Sequence, residues 1–179
     1  MKVRLLVVGE EPFALAQAVL AGLGEPFAGG DVRRLEVPWS SCLDRQRSQV
    51  DAAALLALVP PPAAGWNHLA VTDVDLFLPA LTYVFGVAHL GGHRALASWA
   101  RLRDDSSVSQ PSPLLVRRML VEAVHELGHG LGLVHCPVPD CPMHRSMWVE
   151  HVDLKGTRYC QSCLGRVQAR AVSGLATSD

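Results

Sequence analysis

His125-Glu126-Leu127-Gly128-His129-Gly130-Leu131-Gly132-Leu133-Val134-His135-Cys136 is the stretch from which this chain can be read. It ends a segment in which Leu114, Leu115, Met119, Leu120, Val124 and Leu127 recur at helical spacing. On such a helix His125 and His129 are four residues apart, stand on one face and can reach a single ion. Gly132 permits a sharp, left-handed exit from the helix, after which His135 can fold back as a third ligand. Three protein ligands on zinc leave a fourth position for water, whose pKa falls from about 16 to about 7 on binding. Glu126 cannot ligate alongside its neighbour but is placed to take the water's proton and pass it to a leaving amine. The spacing predicts metal-assisted hydrolysis of peptide bonds.

Downstream, Cys136 adjoins the third histidine, Cys141 follows five residues later, and Cys160-Gln161-Ser162-Cys163 closes the set. Four thiolates in two pairs suit a closed tetrahedral zinc, with no position left for substrate. Disulfides are the alternative, disfavoured in a chain without an export signal. The segment after Cys136 is rich in Pro, His and Cys and shows little periodicity before Gln161, so it needs a cross-link to fold. A structural zinc supplies one. Cys42 stands apart and reads as an incidental thiol.

Towards the amino terminus, Val3 to Val8 is a β-rich apolar run closed by Gly9, expected to be the first and central strand. Pro12 opens a helical pattern that stops near Gly22 and Gly24, and Asp31 to Val37 is a second strand ending at Pro38. Leu43 to Val59 reads as a helix with Gln49 and Asp51 on its wet face, ended by Pro60-Pro61-Pro62. His68 to Thr72 is a buried strand followed by turn residues Asp73 and Asp75. Leu81 to Leu90 is a further β-rich stretch. His93 to Arg103 alternates, carries arginines and is expected at the sheet edge. Asp104 to Ser112 is a polar loop leading into the helix near Pro113. Strands interleaved with helices predict an α/β or α+β domain.

At 179 residues the chain is most simply one domain. Residues 1–135 would carry the sheet and the histidine helix, and residues 136–179 the cysteine site. Sixteen basic residues against seventeen acidic give a net charge of −1, no footing for nucleic acid or an anionic membrane. The apolar run behind Lys2 and Arg4 stops at Glu10-Glu11, too short for a signal peptide, and no apolar span reaches membrane-crossing length. The expectation is a cytoplasmic protein.

The histidine stretch, Cys141-Pro142-Met143 and the final CxxC together resemble the archaemetzincins, a branch of the metzincin zinc peptidases. The resemblance covers 39 residues, His125 to Cys163, with sixteen between Met143 and Cys160, one fewer than the family's usual spacing. It implies His125, His129 and His135 as ligands of a catalytic zinc, Glu126 as general base and acid, and Cys136, Cys141, Cys160 and Cys163 as ligands of a structural zinc. It also implies Met143 as the methionine of the Met-turn, although from the residues alone Met147 is a rival. The implied fold is a metzincin-like twisted mixed sheet with an active-site helix and a small zinc-stapled C-terminal subdomain. The Arg94–Leu102 strand would be the cleft's upper rim, receiving a peptide or protein substrate as an added strand. No inhibitory propeptide is expected.

Aminopeptidase activity is a further implication of the resemblance, and Asp104, Asp105 and Glu150 are candidates to dock a free amino terminus. The competing reading is a two-zinc binding protein without turnover, its open position filled by His93, His144 or His151. Oligomeric state is not legible.

Overall fold

Val3, Leu5 and Val7 face one side of the first strand and Leu6 and Val8 the other, and all five are buried. A strand apolar on both faces needs a layer on each side. The computed structural model describes residues 1–9, 13–104 and 110–175, with side chains to residue 169. Pro12 and residues 105–109 of the polar loop lie outside them. In chain order the elements are β1 (Lys2–Val8), α1 (Ala14–Gly22), β2 (Gly30–Leu35), a 3-10 turn at Trp39–Cys42, β3 (Leu43–Asp44), β4 (Gln49–Asp51) and α2 (Ala52–Leu58). They continue with β5 (Trp66–Thr72), β6 (Leu76–Phe77), β7 (Gly86–His89), β8 (Arg94–Ser98), α3 (Pro113–Gly130), α4 (Val149–Asp153) and α5 (Gln161–Leu175).

The main sheet runs β2-β1-β5-β8-β7, parallel except for the antiparallel edge strand β7. A small sheet, β3-β4-β6, stands apart from it. Helices α1 and α3 cover one face of the main sheet and α2 the other. Ala95 and Ala97 of β8 face α3 and Leu96 faces the α2 side. Small side chains on the first face let the histidine helix lie close to the sheet. That helix is well started: Pro113 occupies its first turn and the Ser112 hydroxyl accepts from Leu115 N at 3.0 Å. None of the described helices is long and apolar enough to cross a membrane.

Three expectations need correction. The middle strand is β5, with β1 beside it, because β8 and β7 extend the sheet beyond β5. Strand β8 is interior and β7 is the edge. The arginines that suggested an edge lie at its ends: Arg94 donates to Val59 O, while Arg101 and Arg103 sit past the strand against Asp75 and Asp73. Leu43 to Val59 is helical only from Ala52. Asp44 accepts from Gln46 N and Arg47 N, and Ser48 takes a positive φ of 53°, which makes a turn. Gln49 is then buried, donating to Asp75 and to Thr82 O, and Asp51 caps α2 through Ala53 N and Ala54 N.

Helices α3 and α4 are clamped by Arg118, which donates to both Asp153 oxygens at 2.8 and 2.7 Å. Hydrogen bonding from Arg118 outweighs partial burial and holds the Asp153 carboxyl below its ordinary value. Since the folded pKa is the lower one, the stabilisation is present above the unfolded value of about 3.9 and disappears as pH falls through the folded value. Asp153→Asn is expected to cost about 1 kcal/mol at pH 7, given solvent screening of the carboxylate. In urea melts the difference should shrink as the pH is lowered below 4.

Candidate metal centre

His125 and His129 project from the last turns of α3, and their Nε2 atoms lie 3.1 Å apart. Gly132, at φ 86°, turns the chain back, and His135 joins them. The three ligand atoms lie within 4.8 Å of one another. A tetrahedral zinc with nitrogen arms of about 2.0 Å needs edges of about 3.3 Å, so the donor set fits the ion. Burial pushes His125 well below its ordinary pKa and also lowers His129 and His135. Neutral imidazoles result. The Nδ1 of His125 faces Pro142 O at 2.7 Å and that of His129 faces Leu133 O at 2.7 Å. A carbonyl partner requires the proton on Nδ1 and leaves the Nε2 lone pair free for a metal.

The histidines open onto a cleft of about 470 Å³ walled by the Leu78–Ala88 segment on one side and Arg145, Ser146 and Met147 on the other. Glu126 reaches this cleft but is 4% exposed, and its Oε2 has no hydrogen-bond partner. Burial first, then the charge of Glu122, raises its pKa well above the carboxylate range, with Lys155 opposing. Gly86 of β7 is essential to this packing. A Cβ there would stand 2.6 Å from Glu126 Cγ and 2.6 Å from Leu96 O. The edge strand can approach Glu126 closely only because residue 86 has no side chain.

Behind Glu126 lies a buried pair that sequence reading missed. Lys155 Nζ is 3.8 Å from Glu122 Oε1 and donates to Pro142 O at 3.1 Å, and both side chains are almost fully buried. Glu122 had a signal, standing one helical turn before Glu126 on the same face. Lys155 had none, since a lone lysine in a polar tail ordinarily reads as solvated.

Of the two methionines weighed, Met143 is the one packed beneath the helix. It is fully buried with Sδ against Gly128, whereas Met147 is 47% exposed in the cleft wall. A Cβ on Gly128 would collide with Met143 Sδ and stand 3.0 Å from Tyr159 Oη. Gly128→Ala is therefore expected to destabilise by about 1–3 kcal/mol, read from denaturant midpoints.

The four distal cysteines also come together. Cys136 Sγ and Cys160 Sγ are 3.8 Å apart, Cys141 Sγ and Cys163 Sγ 3.9 Å, and all four lie within 4.8 Å. A tetrahedron with sulfur arms of about 2.3 Å has edges of about 3.8 Å, so this set too fits zinc. Burial pushes the Cys141 and Cys163 thiols up, so holding them as thiolates calls for a cation. Cys42 stays apart in the 3-10 turn, half-buried.

His93, His144 and His151 do not join the three-histidine group. Their Nδ1 atoms face Asn67 Oδ1, Cys136 O and Met147 N respectively. Nothing among the described residues completes a fourth protein ligand.

Residues 63–169 match the sequence model of peptidase family M54. The chain belongs to peptidase family M54. It is 46% identical over 105 residues to the archaemetzincin of Methanocaldococcus jannaschii, a match covering 58% of this chain and 59% of that protein. With the archaemetzincin of Natronomonas pharaonis it shares 31% identity over 168 residues, 91% of this chain and 97% of the other. The crystal structure of archaemetzincin from Methanopyrus kandleri aligns with a TM-score of 0.82 at 30% identity, covering 96% of each chain. The archaemetzincin resemblance and its mixed α/β fold are thereby established.

Proposed function

We propose that this chain is a zinc-dependent peptidase in which His125, His129 and His135 hold a catalytic zinc and Glu126 moves the proton. The observation that carries the reading is the buried, unpartnered Oε2 of Glu126, a residue that lines the same cleft as the three histidines. A buried oxygen without a partner is costly, and a water held against it removes the cost. When bound, zinc supplies Lewis acidity to the substrate carbonyl and to water, and its charge favours the carboxylate form of nearby acids. Glu126 takes the attacking water's proton at Oε2 and returns it to the amine that leaves. Strand β7 offers its outer edge to an extended peptide, held by main-chain hydrogen bonds, and Gly86 brings that edge against Glu126.

A second, structural zinc sits on Cys136, Cys141, Cys160 and Cys163 and closes residues 136–163 on themselves, directly after the third histidine. Met143 serves as the Met-turn floor. Thiols kept reduced for that zinc fit a cytoplasmic location. Aminopeptidase activity draws support from the resemblance alone. Asp104 accepts from Ser112 Oγ at 2.5 Å, Asp105 is outside the described residues, and Glu150 does not line the cleft. The test is hydrolysis of unmodified peptides by zinc-loaded protein, with Glu126→Gln as control. Equal cleavage by both would sink the mechanism.

A further inference from the structure

The cleft carries an accessible charge that the hydrolytic chemistry does not use. Arg145 is exposed in its wall and, among the described residues, has no ion pair, hydrogen bond or ring partner. The two arginines on the opposite side are committed. Arg101 binds Asp75 at 2.6 and 2.7 Å and stacks on Tyr83, and Arg47 donates to Leu81 O and Thr82 O. The acids that line the cleft are Glu122 and Glu126, both buried, so neither neutralises Arg145. Next to it, Ser146 lines the same wall, and its hydroxyl is shielded without a partner. Tyr83 Oη donates to Met147 O at 2.7 Å, tying the two walls together just beyond these residues. The groove thus has an apolar surround, one free guanidinium and an orphaned hydroxyl on one short loop.

We infer that Arg145, with Ser146 beside it, selects substrates that present a carboxylate to this wall of the cleft. The carboxylate is either the C-terminal one of a short peptide or an Asp or Glu side chain near the scissile bond. A guanidinium recognises both through two parallel N–H···O bonds. The inference places its substrate in the proposed peptidase site, but binding preference tests it without turnover.

The experiment uses zinc-loaded Glu126→Gln protein and matched fluorescent hexapeptides, free acid against C-terminal amide and Glu against Gln, measured by anisotropy. One of the two carboxylates should tighten binding on the order of 10- to 100-fold. Arg145→Gln should bring that ratio close to one, and Arg145→Lys should keep part of it. The pair that discriminates identifies the source of the carboxylate. Equal binding within both pairs, no binding of any peptide, or a ratio that survives Arg145→Gln would overturn the inference. Preference in binding with no hydrolysis by the Glu126 protein would instead remove the peptidase reading and leave this one standing. Hydrolysis without preference would do the reverse.

Discussion

Glu126→Gln is expected to lower kcat/KM for peptide hydrolysis by a factor of roughly 100 to 10,000, the range for loss of a general base. Glutamine has the same shape, so α3 and the approach of Gly86 should be kept. What it lacks is the carboxylate oxygen that accepts a proton. Zinc content should be unchanged, because Glu126 does not belong to the histidine group that can hold a metal. KM should move little, since the loss falls on an interaction made in the transition state. Steady-state kinetics with paired metal analysis checks all three. A variant that also loses zinc would mean Glu126 supports the ion rather than the proton transfer.

Cys160→Ser is expected to lower zinc content from two to one per chain and to unfold the tail. Structural zinc sites in small domains contribute apparent free energies of roughly 10–16 kcal/mol, comparable with the whole stability of a domain. Here the metal would hold Cys136 and Cys141, just after the histidine helix, to Cys160 and Cys163 at the start of α5. Besides the metal, Gly156 N donates to Asp140 O and Lys155 Nζ to Pro142 O within the tail, while Tyr159 donates to Val124 O and Val167 joins the main core. Metal analysis and near-ultraviolet circular dichroism would report the change. One zinc in the native protein, with the cysteines oxidised, would refute the two-site reading.

The candidate site was legible because its ligands are local. His125 and His129 share a helix, and His135 is one glycine turn away, so periodicity and turn chemistry sufficed to bring them together. The cysteine set was legible by composition, although only the fold brings Cys160 within reach of Cys136. What escaped depends on pairing between distant segments. Whether β8 is edge or interior is decided by β7, which pairs with it from eight residues upstream, Ala95 opposite Ala88 and Ala97 opposite Gly86. Local alternation in β8 could not reveal that. Gln49 to Asp51 became a strand because Val50 meets Leu76 in the small sheet. The Lys155–Glu122 pair likewise exists only once the tail folds under α3.

The Pro142 carbonyl faces His125 Nδ1 and also accepts from Lys155 Nζ, and it lies between Cys141 and Met143. A single peptide unit therefore supports one candidate metal site and lies in the loop that carries Cys141 of the other. Thermodynamic reciprocity follows: if zinc at one candidate site changes the affinity of the other through this loop, the reverse change is by the same factor. Zinc affinity at the three histidines should then fall in Cys160→Ser protein, measured by competition with a chelator.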